Sequence, residues 1–436
     1  MLPACVGAMA GYGSVDSVHD SSSVEGELPD GAPGGSPSAP EVLRDGGTVG
    51  DTAAPRRRWG WRHSLFSFLA FVLVAAVIAY FIQLPYYALT PGQAPAVSGY
   101  ISVPSSHRHP HKGSVLLVYV ELTPMRALYY PFFWLDPNAA IYPSGEILGT
   151  ETPSQYATEG EIDMSTAQQA ATVVALQQLG YKVPVVKLGA LIYGIVPGAP
   201  AAGALRVGDV ISRVNGLKVP TWVSLTSKLE ALTPFTTVHL VVFAYPAGKP
   251  RTVSVKLGVI RSAPQGYLCF PEGKGTKYKV TQFQLTPGGK ARPLACLGIY
   301  PQGSGGQAID GTAFKVGPLP VKVNLASEGI VGPSAGLAFT LGLIEELDPA
   351  DLTGGRKVAA SGTISIDGSV GDVGGVAQKT IAVRGAGATV FLVPPQEYSV
   401  AKAHAGSHLK VYSVSTITQA VHILESLGGR ISRISA

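Results

Sequence analysis

Charged side chains make up only 14% of the 436 residues, and the net charge is a mild +5. That balance argues against a disordered chain and against nucleic acid as a partner. Cysteine occurs three times, at Cys5, Cys269 and Cys296, with no CxxC pair, which argues against a structural zinc site. No G-x-x-x-x-G-K-[ST] loop is present; the nearest runs, around Gly273–Gly275 and Gly288–Lys290, lack the spacing and the hydroxyl. No metal and no cofactor is therefore expected. Basic residues are scarce at the start: residues 1–55 hold eight Asp or Glu against the single Arg44, so everything downstream is basic by contrast. Two compartments would account for that asymmetry.

What the chain has in plenty is apolar residues, 46% of the total. From Ser64 to Leu84 it reads SLFSFLAFVLVAAVIAYFIQL without a charge, about the length a helix needs to cross a bilayer. Arg56, Arg57, Arg58 and Arg62 crowd the N-terminal side, which places that flank in the cytoplasm and the bulk of the chain outside it. The expectation is a single-pass plasma-membrane protein anchored in the lipid bilayer through 64–84. Residues 1–55, rich in Gly, Ser, Pro and Asp, are expected to be a disordered cytoplasmic tail. In the exterior part, Cys269 and Cys296 are candidates for a disulfide.

Residues 86–160 mix short apolar runs with Pro and Gly and predict strands of a linking subdomain. Within it, SSHRHPHKG sets His107, His109 and His111 at alternating positions, which on a strand would share one face and could bind a metal; with basic residues and proline interleaved and no acidic ligand nearby, it reads instead as a solvated loop. Asp163 to Leu179 has helical periodicity and stops at Gly180. There follows GALIYGIVPGAPAAGALRVGDVISRVNG, residues 189–216, whose PGAPAA, GDVI and VNG elements resemble a bacterial PDZ domain. The resemblance implies a groove that captures polypeptides by adding them as a strand, with Leu179, Gly180, Tyr181 and Lys182 as its carboxylate-binding loop. Residues 259–296, polar and rich in Gly, Lys and Pro, read as an insertion or linker.

The segment richest in chemistry starts with a predicted strand, VKVNL from Val321, and continues into GIVGPSAGLAFTLGLIEEL. Ser334 sits at a strand-to-helix junction, where free helix amides would face a developing oxyanion, with Gly332, Ala335 and Gly336 letting a substrate backbone approach. The serine needs a base. One reading is the G-x-S-x-G elbow of an α/β-hydrolase esterase, with Asp367 and His404, His408 or His422 downstream. The alternating helices and strands of that fold do not precede the elbow, which counts against it. The other reading takes the base from GGVAQK: GPSAG, followed 45 residues after its serine by Lys379 in a GG-x-x-x-K helix, resembles the proteolytic domain of Lon-type peptidases.

That resemblance, from about Leu297 to the C-terminus, implies a dyad in which Ser334 attacks the scissile carbonyl and neutral Lys379 takes its proton. It also implies a hydroxyl at Ser361 beside the lysine and assembly as a homo-oligomer, a hexamer by family habit. Val331 stands where the family commonly has Asp, and Ser361–Ile364 reads S-G-T-I where T-G-E-I is common; the missing acids would favour a neutral lysine. The expected fold class is thus α+β multidomain: tail 1–55, transmembrane helix 64–84, linking subdomain 86–160, helix plus PDZ-like β-rich domain 161–258, insertion 259–296 and Lon-type α+β proteolytic domain 297–436. The expected function is an ATP-independent serine endopeptidase of polypeptides, including membrane or secreted proteins. A PDZ-based scaffold with an inactive Lon-like part is the alternative.

Overall fold

The computed structural model describes residues 61–149, 152–246, 248–263, 266–284, 290–300, 311–327 and 329–432. The expected tail 1–55, Cys5 and the Arg56–Arg58 cluster lie outside them. The described chain divides into two compact units, one ending at Ile78 and one running from Ala79 onward.

Helix α1 (Trp61–Phe81) forms the described part of the first unit and continues past Ile78; it ends three residues short of the expected span, because the chain turns into strand β1 (Gln83–Pro91). Among the described residues, no helix is long and apolar enough to cross a membrane. Most side chains of α1 from Leu65 onward are nonetheless apolar and exposed, Phe66 and Phe71 each 70%.

In the second unit, β1 pairs antiparallel with β3 (Val120–Arg126) and β4 (Ala140–Pro143). The intervening β2 (Ser114–Leu117) joins a distant sheet. Helix α2 (Pro153–Gln178) starts ten residues before the periodicity predicts, because Thr152 and Gln155 form a capping box and Pro153 sits at its first position. Its end follows the prediction, with Gly180 at φ 91°. One buried face of α2 packs on α4 (Gly336–Leu347), so this helix serves the proteolytic core as well as the PDZ region.

The PDZ-like sheet is antiparallel. Strands β5 (Val185–Leu191), β6 (Asp209–Val214), β7 (Thr237–Ala244) and β8 (Arg251–Lys256) lie in the order β8-β7-β6-β5, with helix α3 (Trp222–Glu230) packed against them. Trp222, Leu225, Leu240 and Val242 fill the core beneath. The expected linker 259–296 contains a small sheet of its own, built on β9 (Gly258–Ala263) and β10 (Gly266–Phe270). There the Cys269–Cys296 disulfide is formed, with Cα atoms 5.9 Å apart.

Strand β11 (Thr312–Val316) pairs antiparallel with β5 and so extends the PDZ-like sheet. Of the strand predicted from Val321, only Asn324–Leu325 is formed. The proteolytic core has α4 buried on all sides against a parallel sheet of β2, β12 (Lys357–Ala360), β15 (Val390–Val393) and β16 (Lys410–Ser413), in the order β16-β15-β12-β2. The short pair β13 (Thr363–Ile364) and β14 (Val370–Gly371) lies between β12 and helix α5 (Val376–Gly385). Helices α6 (Tyr398–His404) and α7 (Ile417–Ser426) complete it. Runs such as VFLV are apolar throughout, as both faces of a parallel sheet are covered. Residues 86–160, expected as a separate subdomain, thus supply the edge strand of this sheet; strands far apart in sequence leave no local signal of pairing.

Candidate active site

Ser334 lies in a single 3-10 turn, Pro333–Ala335, that opens directly into α4. Gly332, at φ 90°, makes the reversal that ends the preceding loop. Two backbone bonds tie this turn to the loop after β12: Gly362 donates to the Ser334 carbonyl at 2.9 Å, and Leu337 donates to the Gly362 carbonyl at 3.0 Å. A Cβ on Gly336 would lie 2.7 Å from the Ile364 side chain, so the close packing of α4 on β13 requires glycine there.

Ser361, the neighbour of Gly362, is fully buried, and its Oγ accepts a hydrogen bond of 3.2 Å from Lys379 Nζ. Lys379 stands on α5, which starts at Gly375 in the left-handed conformation, and is 3% exposed. Ser334 and Lys379 are thereby attached to the same dipeptide, the serine through Gly362 and the lysine through Ser361. Among the described residues no hydrogen bond joins Lys379 to Ser334; at rest the lysine is held on Ser361.

Burial lowers the Lys379 pKa to about 8, and the negative charge of Glu397 acts in the opposite direction. Glu397 was missed in the sequence, and the expectation that no acid faces the lysine is corrected by it. Its Oε1 accepts from the Val373 amide at 2.9 Å, its other oxygen is buried without a hydrogen-bond partner, and burial raises its pKa. The one available signal was an acid in PPQE, just before a helix start.

Of the residues expected around the oxyanion, the Gly332 amide donates to Gly160 at 2.8 Å and the Gly336 amide to Pro333. Ala335 is buried between them. A pocket of about 510 Å³ opens beside Pro333, lined on one side by Thr363, Ile364 and Ser365 and on the other by Val185, Lys187 and Phe314. The Thr363 hydroxyl is buried there without a partner. Of the esterase candidates, Asp367 accepts from Ser369 in a turn and the His404 ring bonds the Val400 carbonyl of its own helix; among the described residues no hydrogen bond joins Asp367 to a histidine.

The expected PDZ carboxylate loop is built otherwise. Leu179 donates to Ala175, Gly180 to Gln177 and Tyr181 to Leu176. The last two are the paired bonds of a Schellman cap, so these amides close α2. Leu179 is buried and Lys182 exposed, with a shallow pocket alongside. The edge of β5 is already paired, with Val185 opposite Val316 and Lys187 opposite Phe314 of β11.

Residues 309–425 match the family model of the Lon protease (S16) C-terminal proteolytic domain, and residues 171–243 match that of the PDZ domain. No curated protein matches the chain. Among solved structures, the PDZ domain of the SdrC-like protein from Listeria innocua is 22% identical, covering 18% of this chain and 84% of that one with a TM-score of 0.16. A solution structure of a Geobacillus thermodenitrificans protein gives 22%, 18%, 84% and 0.15. The Lon-type match makes this chain a serine peptidase, with a Lon-type proteolytic domain over residues 309–425 and a PDZ domain over 171–243.

Proposed function

We propose that the chain is an ATP-independent endopeptidase attached to the membrane through α1 and acting outside the cytoplasm, with Ser334 as nucleophile and Lys379 as its base. The observation that carries the dyad is the buried Lys379 held on Ser361, next to the residue that binds the Ser334 carbonyl. A neutral lysine accepts the Ser334 proton as Oγ attacks the scissile carbonyl, and returns it to the leaving amine. To do so, Nζ moves from Ser361 toward Ser334. An extended substrate lies in the 510 Å³ pocket along β13, where Thr363 offers an unpaired hydroxyl.

Membrane attachment is supported by the exposed apolar side chains of α1 and the arginine-rich flank before it, and the exterior location by the Cys269–Cys296 disulfide. ATP independence rests on the missing phosphate loop, and a ring-shaped homo-oligomer on the Lon-type resemblance. In this reading the PDZ domain recruits polypeptide by strand addition at β5, which requires β11 to leave that edge. Because β11 lies within the Lon-type match, taking up a peptide would also rearrange one wall of the substrate pocket. The test is cleavage of an unfolded polypeptide by the full chain and by Ser334→Ala. Serine-dependent cleavage without ATP is the expected result, and equal cleavage by both proteins would refute the dyad.

A further inference from the structure

The histidine-rich segment is fastened to the C-terminal end of α4. Arg108 Nε bonds the Glu346 carboxylate at 2.7 Å, the His109 amide donates to the Glu346 carbonyl at 3.0 Å, and Ser114 donates to the Arg356 carbonyl at 2.9 Å. Gly113 has no room for a side chain, since a Cβ would run into the Thr353 hydroxyl and the Arg356 backbone. This docking brings His111 to two carboxylates remote in sequence, Glu345 in the last turn of α4 and Asp351 in the loop beyond. One ligating atom of each lies within 4.8 Å of the others.

Three features of the cluster point to a cation-binding site. His111 Nε2 is buried without a hydrogen-bond partner. Glu345 is only 5% exposed, yet among the described residues neither it nor Asp351 forms a salt bridge; Arg108, the neighbouring cation, is engaged by Glu346. A buried carboxylate without a salt bridge is costly, and two carboxylates here face one imidazole, His111. Finally, the Thr353 hydroxyl lies 2.8 Å from Glu345 Oε1 and 2.9 Å from Asp351 Oδ1, and its one proton serves only one of them. The carboxylates are also oriented from behind, Glu345 by the Leu352 amide at 2.8 Å and Asp351 by the Gly355 amide at 3.2 Å.

We propose that His111, Glu345 and Asp351 bind a divalent first-row cation, with Zn²⁺ the best fit. One imidazole with two carboxylates disfavours Mg²⁺ and Ca²⁺, and suits an ion that tolerates four-coordination by mixed N and O ligands. The fourth position opens onto a pocket of about 400 Å³ lined by Arg108, His109 and His111, with room for water. The ion sits at the opposite end of the 12-residue α4 from Ser334, roughly 18 Å along the axis, and takes no part in hydrolysis. It ties α4 to the segment leading into β2, which pairs with β12, the strand that delivers Ser361. Metal binding therefore braces α4, which begins beside Ser334, and β12, which leads to Ser361, the residue that holds Lys379.

The full chain, solubilised in detergent and stripped with a chelator, is titrated with Zn²⁺ while bound metal and melting temperature are measured. One Zn²⁺ per chain and a higher melting temperature are expected. In His111→Ala one equivalent is lost and the melting temperature no longer responds, while Ser334 still supports cleavage. Asp351→Asn, at a partly exposed position where folding is not at risk, weakens Zn²⁺ binding at least about tenfold. No uptake by the stripped wild type would overturn the proposal in favour of a neutral Glu345 sharing its proton with Thr353. Uptake by His111→Ala equal to that of wild type would overturn it as well.

Discussion

The Lon-type and PDZ regions carry their functions in different currencies of structure, and they differ in what their sequences disclose. In the mechanism we propose, proteolysis needs particular atoms: a hydroxyl at Ser334, an amine at Lys379 and a hydroxyl at Ser361 to hold that amine. Those atoms leave motifs with fixed spacing. Strand addition in a PDZ domain draws on backbone amides, which every residue has, so PGAPAA and GDVI report the fold and not the occupied edge. The structure adds a link between the regions. Strand β11 belongs to the Lon-type match but lies in the PDZ-like sheet, against β5.

The comparison breaks first at the dyad. Ser334→Ala is expected to lower peptide hydrolysis by at least about a thousandfold, and Lys379→Ala by a similar factor, measured by single-turnover cleavage. A Lys379→Ala protein that remained active would return the chemistry to a histidine. Ser361→Ala is expected to cost about 10–100-fold, with Ser361→Thr restoring most of the rate, because the hydroxyl positions the amine without reacting. The pH dependence follows from the lowered pKa. In the proposed mechanism neutral lysine is the active form, so the rate is expected to rise about tenfold per pH unit below 7 and to level off above about 9. Glu397→Gln removes the charge that favours the ammonium form and shifts that rise toward lower pH, a change of less than about tenfold at pH 7.

Stability separates the regions in the other direction. Lys379 has a folded-state pKa below its unfolded value, so the unfolded chain binds more protons between about 8 and 10.5, and stability rises with pH across that window. Lys379→Met should stabilise the fold at pH 7 by up to about 3 kcal/mol while abolishing activity, as read by thermal unfolding. In the PDZ region, Gly189→Ala pushes a Cβ against the Ile211 carbonyl across β5 and β6. It should destabilise by about 1–3 kcal/mol with little direct effect on the dyad.

Much of the candidate site was legible because its parts are local: the small residues around Ser334, the glycine pair that starts α5, and the stop of α2 at Gly180. Long-range features were not. Nothing in SVLL announces that β2 pairs with β12 more than two hundred residues later, and Glu397 reaches Lys379 only because β15 and α6 fold it back. The same reason hides the meeting of His111 with Glu345 and Asp351, which needs the docking of one loop on the end of α4. The apolar run of α1 was evident, but the entry of Gln83 and Leu84 into β1 depends on its partners β3 and β4.

The central claim, that Lys379 activates Ser334, is tested most directly by labelling the full chain with a serine-reactive probe across pH, in wild type and Lys379→Ala. Labelling at Ser334 is expected to rise in rate through pH about 8 and to be lost in the lysine variant. Labelling of Ser334 that persists in Lys379→Ala with no pH dependence would contradict that claim.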